Sequence, residues 1–91
     1  MIIVLGSFVP RADTFEALRR ISLEHVHRSR TEPGCIAHAV HVDSENPLKL
    51  VFVEKWADAA ALAVHFKVPA SLEFVGKVRE LCAAASPMEI F

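Results

Sequence analysis

Five histidines are the residues of this chain with the widest chemistry, because an imidazole can accept a proton or bind a metal near neutral pH. Their spacing argues against the obvious chelating pairs. His38 and His41 are three residues apart in a predicted strand, so they point to opposite faces. His25 and His27 lie about 200° apart around a predicted helix. Neither pair can therefore chelate a metal within its own element.

Residues 49–66 place further chemistry near one imidazole. Their sequence, KLVFVEKWADAAALAVHF, predicts a buried strand followed directly by a short helix with Asp58 as its N-cap. Glu54 and Trp56 share one face at the end of the strand, and His65 lies near the end of the helix. A carboxylate, an indole and an imidazole therefore come close together, and we expect a site here.

His25 is the second histidine that could act in a site. It lies between Ser22 and Ser29 on the apolar stripe of a predicted helix. Buried polar groups need hydrogen-bond partners, so these three residues border a wet cavity or find partners in the core. In the second case His25 is a structural core residue and the serines bond to helix carbonyls. The residues alone leave both interpretations open.

A metal site is another chemistry that these residues suggest. Two histidines and a carboxylate suit iron, and His25, His65 and Glu54 would provide them. No local ligand motif supports such a site, and no glycine-rich loop could cradle a phosphate. We therefore predict that the purified protein contains no tightly bound metal, flavin or haem.

The elements that must position these residues follow the order β-α-β-β-α-β along one domain of residues 1–91. The predicted elements are a strand at 2–9, a helix at 15–29, strands at 35–43 and 49–56, the short helix after Asp58, a helix at 70–84 and a strand at 87–91. A turn at 44–48 joins the two middle strands. This order predicts an α+β, ferredoxin-like fold, with a four-stranded antiparallel sheet and helices on one face.

The apolar patterns predict which faces are buried. In the first helix the stripe comprises Phe15, Leu18, Ile21, Ser22, His25, Val26 and Ser29. In the second strand the predicted inward face carries Ile36, His38, Val40 and Val42. In the last helix the predicted stripe is Leu72, Val75, Val78 and Cys82, with Phe74 and Leu81 beside it.

The first and third strands are apolar on both faces, so a single chain would expose an apolar sheet. We therefore expect a homodimer packed sheet to sheet.

Composition excludes several classes of partner. The net charge of −1 and the pI near 6.5 give no electrostatic basis for binding nucleic acid or an anionic membrane. No stretch approaches the ~20 apolar residues of a membrane span. Cys35 and Cys82 are isolated, and the N-terminal residues lack the basic start of a signal peptide. A cytoplasmic protein without nucleic-acid or membrane partners is expected.

The chain resembles the antibiotic-biosynthesis-monooxygenase (ABM) domain of the dimeric α+β barrel superfamily. The matching segments are EPGCIAHAV at 32–40, the D-x-x-N-P turn at 43–47, VFVEKWAD at 51–58, the alanine-rich helix with His65, and P-A-x-x-x-F at 69–74. The resemblance covers nearly the whole chain and implies a dimeric barrel. It is specific for the domain family and weak for any one activity.

The resemblance also implies positions for the candidate residues. Histidine recurs at the place of His65 and faces a pocket between sheet and helices, and Trp56 and Glu54 would face the same side. Glu54 then needs a partner, for which Arg79, a backbone N–H or the substrate are the candidates. Relatives usually have an aromatic residue at the place of His38, where histidine adds a polar group.

Haem-degrading members of the family give a contrasting pattern. They have an asparagine near the place of Ser7 and a haem-ligating histidine on the last long helix. Residues 71–81 contain no histidine, and the chain has no tyrosine to act as a phenolic acid. A haem enzyme is therefore not expected.

The resemblance and the residues together favour a cofactor-independent monooxygenase that acts on a small aromatic or quinol-like substrate and dioxygen. An electron-rich phenolate can pass one electron to dioxygen without metal or flavin, so the protein must bind an apolar ring, remove a proton and exclude water. His65 is the expected base, with His25 or His38 as its partner. The expected substrate-binding residues are His38, Phe52, Glu54, Trp56, Phe66 and Ser7, and Val40 would extend the apolar wall.

Two alternatives remain open at this level, since fold alone does not decide function. One is an isomerase of a small carbonyl compound, in which the same histidines move a proton between carbons. No arginine falls on a predicted inward face, which argues against a phosphorylated substrate. The other alternative is a dimeric ligand-binding module without enzymatic activity.

Overall fold

An antiparallel sheet with helices on one face forms the fold in the computed structural model, which describes residues 1–91. The elements are β1 (Ile2–Pro10), α1 (Phe15–Ser29), β2 (Cys35–Asp43), β3 (Asn46–Trp56), α2 (Ala59–Lys67), α3 (Pro69–Leu81), β4 (Cys82–Ala85) and β5 (Glu89–Ile90). This is the α+β, ferredoxin-like arrangement predicted from the element order. None of the helices combines the length and apolar character needed to cross a lipid bilayer.

Five strands occupy four positions in the sheet. The order is β2-β3-β1-β4, and all pairs are antiparallel. The free side of β1 is shared by β4, opposite residues 8–10, and β5, opposite residues 4–5. β4 and β5 therefore follow one another along the fourth position of the predicted four-stranded sheet.

The boundary between α3 and β4 differs from the prediction of a helix at 70–84. The helix ends at Leu81, and Cys82 begins the strand that pairs with β1. Alanines at 83–85 favour a helix in isolation. Hydrogen bonding to the free edge of β1 outweighs this weak local preference and adds the unpredicted strand β4, while β5 (Glu89–Ile90) lies within the strand predicted at 87–91.

The hairpin between β2 and β3 is tighter than the predicted turn at 44–48. Only Ser44 and Glu45 separate the strands, because Asp43 already pairs with Asn46. The Asp43 carboxylate accepts a hydrogen bond from the Glu45 N–H at 2.7 Å, which stabilises the turn locally. β3 therefore begins at Asn46 rather than Lys49.

A bulge at the start of β2 corrects the predicted inward face of this strand. Cys35 pairs with Trp56 and Ala37 pairs with Lys55, so Ile36 is an extra residue without a partner. Its side chain is 56% exposed, although it was predicted to share a face with His38. Pairing is regular from Ala37 to Val42, and His38 lies opposite Glu54 on the helix-covered face. Val42 was also predicted on the inward face, but it is 49% exposed near the end of the strand, where the register shifts again.

The core lies between the sheet and the helices in two groups of apolar side chains. The larger group comprises Phe8, Leu18, Val26, Leu50, Phe52 and Phe74; the smaller comprises Val4, Trp56 and Leu62. Helix α1 buries Leu18, Ser22, His25, Val26 and Ser29, which confirms the predicted stripe. Several polar side chains are therefore buried with the core.

Helix α3 is rotated from its predicted orientation. Leu72 and Val75 are 60% and 41% exposed, whereas Ser71 and Phe74 are buried. The ring of Phe74 packs against Phe8 and Phe52 in the larger core group. Burial of this large ring determines which side of the helix faces the sheet, and the smaller aliphatic residues predicted to be buried turn outward.

Candidate functional site

An apolar cavity of about 180 Å³ lies between the sheet and the helices. Its apolar lining consists of Phe8, Phe52, Phe66, Phe74, Val75, Val78, Ala85 and Met88. The titratable side chains in the wall are His25, Glu54 and His65. The cavity can therefore hold an apolar ring next to groups that can move a proton.

Three imidazoles meet behind and beside this cavity. His25 comes from α1, His38 from β2 and His65 from α2, and each is at least 95% buried. Their ring centroids are 5.3 Å apart for His25 and His38, 5.4 Å for His25 and His65, and 5.6 Å for His38 and His65. The fold thus joins histidines that cannot pair within their own elements.

His65 is positioned by a carboxylate at one ring nitrogen. Nδ1 of His65 lies 2.9 Å from Oε1 of Glu32, in the loop between α1 and β2. A carboxylate only accepts hydrogen bonds, so Nδ1 carries the proton. Nε2 of the neutral ring is then unprotonated and basic. His65 is 3% exposed, which is far more buried than expected for an imidazole at a helix end.

Helix α2 brings His65 to this position. Asp58 caps the helix as predicted, and its carboxylate accepts a hydrogen bond from the Ala61 N–H at 2.8 Å. Val68 is extended and separates α2 from α3. The short helix therefore places His65 on its inner face, about two turns after the cap.

Glu54 lies between the histidines and an indole. Its Oε1 accepts a hydrogen bond from Nε1 of Trp56 at 2.9 Å and lies 3.3 Å from Nε2 of His38. Burial alone raises the pKa of Glu54, but the His38 ring, the Trp56 N–H and His65 outweigh it and lower the pKa overall. The carboxyl group is therefore ionised at neutral pH. Arg79 is exposed and is not the partner of Glu54.

Trp56 and His38 lie behind the residues that form the cavity wall. Trp56 is fully buried with Val4 and Leu62, and it reaches the site through its hydrogen bond to Glu54. His38 is 1% exposed and neither of its ring nitrogens has an aligned hydrogen-bond partner. These two predicted substrate-binding residues therefore lie next to the polar groups but do not line the cavity.

His25 is held in the neutral form by its surroundings. Its ring stacks on Phe74 with centroids 4.2 Å apart, and Nδ1 accepts a hydrogen bond from the Arg28 guanidinium. Burial, followed by electrostatic interactions with His38, Arg28 and His65, lowers the pKa of His25 to about 3. The proton of the neutral ring is on Nε2, because Arg28 can only donate.

The polar residues on the buried stripe of α1 have different environments, so each of the two interpretations holds for a different residue. Ser29 donates a hydrogen bond to the carbonyl of His25 at 2.7 Å, as expected for a serine that bonds back to its helix. The hydroxyl of Ser22 has no partner. His25 itself borders the cavity, so it belongs to the site rather than to the core alone.

The remaining predicted substrate-binding residues are partly brought together. Phe52 and Phe66 line the cavity, whereas Val40 packs against the larger core group. Ser7 borders the cavity, but strand alternation puts its side chain on the opposite face from Phe8.

Two charged residues in the site were missed by sequence analysis. Glu32 looked like the first residue of a helix-ending turn, and nothing in its local pattern pointed to His65. Arg28 is half-buried and contacts His25, although no arginine was predicted to point inward. Both residues lie at or just beyond the end of α1, where the chain turns towards β2.

The cysteines are not part of this chemistry. Cys35 and Cys82 are both free thiols. Burial raises the pKa of each thiol, and Glu32 and Glu54 raise that of Cys35 further. Both side chains are therefore protonated and weakly nucleophilic near neutral pH.

The sequence matches a known protein family and an uncharacterised relative. The profile of one family, described as antibiotic biosynthesis monooxygenase, matches residues 1–77. An uncharacterised protein of Synechocystis sp. is 33% identical over 90 residues, which are 99% of this chain and 61% of that protein. The chain thus spans less than two thirds of that relative's length.

Solved structures extend the likeness to the whole fold. A protein of Shewanella oneidensis superposes with a TM-score of 0.92 at 27% identity, covering 99% of this chain and 87% of that chain. A protein of Mycobacterium tuberculosis gives a TM-score of 0.86 at 27% identity, covering 99% and 89%. The family profile confirms the resemblance drawn from the sequence motifs, and the solved structures confirm the fold.

Proposed function

Since this chain belongs to the antibiotic biosynthesis monooxygenase family, we propose that it is a cofactor-independent monooxygenase of a phenolic or quinol substrate. The observation that carries the proposal is the pairing of His65 Nδ1 with Glu32 Oε1 beside an apolar cavity. This pairing leaves the lone pair of Nε2 available to take the proton of a phenol.

Two carboxylates lie beside the imidazole of His65. Glu32 accepts the Nδ1–H hydrogen bond, and Oε1 of Glu54 is 3.9 Å from Nε2. A protonated imidazole would therefore face one carboxylate at each nitrogen, inside a buried site where such interactions are weakly screened. The same carboxylates disfavour a substrate that is already an anion, so proton removal takes place within the site.

The oxidation then needs only substrate and dioxygen. The phenolate passes one electron to dioxygen, and the two radicals combine to form a carbon–oxygen bond at a ring carbon that bears hydrogen. Protonated His65 returns its proton to the peroxide. Neutral His65 then takes the hydrogen of that carbon as a proton, the O–O bond breaks, and hydroxide leaves with this proton as water. One oxygen atom stays in the quinone and the other leaves in water.

The size of the cavity supports a substrate with one ring. A dry cavity of about 150 Å³ lined by apolar side chains binds benzene. The cavity here is about 180 Å³, with phenylalanine rings over much of its wall. We propose a monocyclic phenol or quinol as the substrate class, because the cavity is close in volume to one that holds a single ring.

We also propose that the protein acts as a homodimer. The sheet face opposite the helices carries Leu5, Val9, Val51 and Val53, which are only half-buried in a single chain. A second copy packed on this face would cover it, and obligate interfaces of this kind bury more than about 2,000 Å² in total. Light scattering at micromolar concentration should give twice the mass of the chain; a monomer would contradict the arrangement.

Oxygen uptake with ¹⁸O₂ tests the proposed reaction. A one-ring and a three-ring quinol of similar electron richness should be compared in the presence of a chelator. We expect oxygen consumption with the one-ring compound, with one labelled atom in the product and one in water, and little turnover of the three-ring compound. No uptake with any quinol would contradict the proposal, as would a preference for three rings.

The two alternative functions predict different outcomes in the same experiment. An isomerase would convert a carbonyl compound without consuming oxygen, and it would exchange a carbon-bound hydrogen with solvent through His65. A ligand-binding module would show a thermal shift with the quinol but no turnover. Either result would replace the oxygenase proposal.

A further inference from the structure

The three buried imidazoles form a compact cluster of ligand atoms. One nitrogen from each of His25, His38 and His65 lies within 4.8 Å of the other two. Tetrahedral zinc with Zn–N distances of about 2.0–2.1 Å needs its nitrogens roughly 3.3 Å apart. The rings therefore need to move inward by about an ångström or less each. Three imidazoles suit divalent zinc, copper or nickel.

We propose that His25, His38 and His65 form a binding site for one divalent transition-metal ion. The ligands come from α1, β2 and α2, so the site exists only in the folded chain. His25 and His65 line the cavity, which gives an ion a route from solvent to the cluster. None of the local spacings in the sequence encodes this site.

His38 gives independent support for a ligand at this position. Its side chain is fully buried, Nδ1 has no hydrogen-bond partner, and Nε2 lies 3.3 Å from Oε1 of Glu54 without an aligned hydrogen bond. Leaving a buried polar group unpaired is unfavourable, because it has lost its hydrogen bonds to water. A metal ion bound to one of these nitrogens would give it a partner, and Oε1 of Glu54 lies close enough to share the ion.

Two carboxylates complete the surroundings that a metal site requires. Glu32 accepts the Nδ1–H of His65, and a carboxylate on the outer nitrogen commonly orients a metal-binding histidine. Oε1 of Glu54 lies 3.3 Å from Nε2 of His38 and 3.9 Å from Nε2 of His65. This carboxylate can act as a fourth ligand, and its negative charge offsets that of the ion.

Arg28 opposes metal binding at His25. The guanidinium donates to Nδ1, which leaves the proton on Nε2. For Nε2 to bind an ion, the proton must move to Nδ1 and Arg28 must release the ring. Arg28→Met should therefore tighten zinc binding at least tenfold, because it removes both the competing contact and a nearby positive charge.

The effect of the metal ion on activity rests on the proposed function, whereas the binding of the ion does not. An ion held by Nε2 of His65 removes the lone pair that acts as the base. The metal-free protein is then the active oxygenase, and the zinc-bound protein is inhibited.

Zinc titration of the ¹⁵N-labelled protein tests the site without any mutation. We expect one Zn²⁺ per chain, with shifts in the imidazole nitrogens of His25, His38 and His65 and reversal by a chelator. The signals of the exposed His27 and His41 should not move. No binding, or binding confined to His27 or His41, would overturn the proposal.

Variants give a second, calorimetric test. His38→Gln should weaken zinc binding at least tenfold, while His41→Gln, on the same strand but exposed, should leave it unchanged. Equal affinity in the His38 variant would overturn the assignment, as would unchanged or weaker binding in Arg28→Met. Oxygen uptake separates the two proposals: zinc binding without quinol turnover contradicts only the oxygenase, and turnover without zinc binding contradicts only the metal site.

Discussion

Nδ1 of His65 donates a hydrogen bond to Oε1 of Glu32 across 2.9 Å, although the two residues are 33 positions apart in the chain. The contact joins helix α2 to the loop between α1 and β2. It fixes which nitrogen of the imidazole carries the proton and which is free to accept one. The proposed base therefore depends on a carboxylate from a different part of the fold.

Replacement of Glu32 by Gln should lower turnover by at least about tenfold. The amide can hold the ring through its oxygen but cannot offset the charge of a protonated imidazole. The loss should not exceed the ~10²–10⁴-fold contribution of the base itself. Steady-state oxygen uptake measures it. Glu24→Gln, at the exposed surface of α1, should be nearly silent; equal effects of the two changes would contradict the role of Glu32.

Replacement of Gly34 by Ala should destabilise the protein and lower its activity. Gly34 has φ of +85°, and an added Cβ would lie 2.5 Å from the Cβ of Ala61 in α2. Left-handed backbone in a residue other than glycine costs about 1–3 kcal/mol, and the clash adds to this. It also pushes α2 away from the loop that holds Glu32, so turnover should fall even well below the melting temperature.

Gly76 provides the matched control for this prediction. It lies within α3, and an added Cβ would meet no atom within 4 Å. Gly76→Ala should stabilise the protein by about 0.5–1 kcal/mol, because alanine favours a helix over glycine. Urea unfolding of both variants should therefore give changes of opposite sign, and a stabilising Gly34→Ala would contradict the described loop.

Acid should destabilise the metal-free protein through His25. Its pKa is about 3 in the folded chain against an ordinary value of 6.5, because burial, His38, Arg28 and His65 lower the pKa by more than Glu54 raises it. Between these two pH values the unfolded chain binds more protons, so the free energy of unfolding falls as pH decreases. The free energy of unfolding falls by at most about 5 kcal/mol between these two pH values. The lowered pKa of Glu54 acts in the same direction.

Urea unfolding at several pH values between 7 and 4, with a chelator present, measures this effect. His25→Gln removes the titrating ring, so its stability should depend less on pH than that of the wild type. His27→Gln, on the exposed side of the same helix, should keep the wild-type dependence. An unchanged pH dependence in the His25 variant would contradict the assignment.

The local sequence pattern predicted correctly the elements that have a clear apolar stripe and clear stop residues. The bounds of α1 and β2 were predicted at the residues where the structure has them, because their stripes end at clear stop residues. The predicted orientation of α3 was wrong because several faces of this helix are similarly apolar. Only the fit of the Phe74 ring against the sheet selects among them.

The polar network could not be predicted in the same way. Glu54 and Trp56 were paired correctly on one strand face, since the two-residue period determines it. Glu32 and Arg28 reach the site through a turn and a helix end whose geometry depends on the assembled fold. The three histidines are likewise joined only by contacts between α1, β2 and α2. A search for local ligand spacing cannot find such a cluster.

The most direct test of the central claim is the turnover of His65→Gln with a one-ring quinol at saturating concentration, measured as oxygen uptake in the presence of a chelator. Glutamine can hydrogen-bond but does not accept a proton near neutrality, so the rate should fall by ~10²–10⁴-fold. His27→Gln should retain the wild-type rate. Full turnover in folded His65→Gln would contradict the proposal that this imidazole is the base.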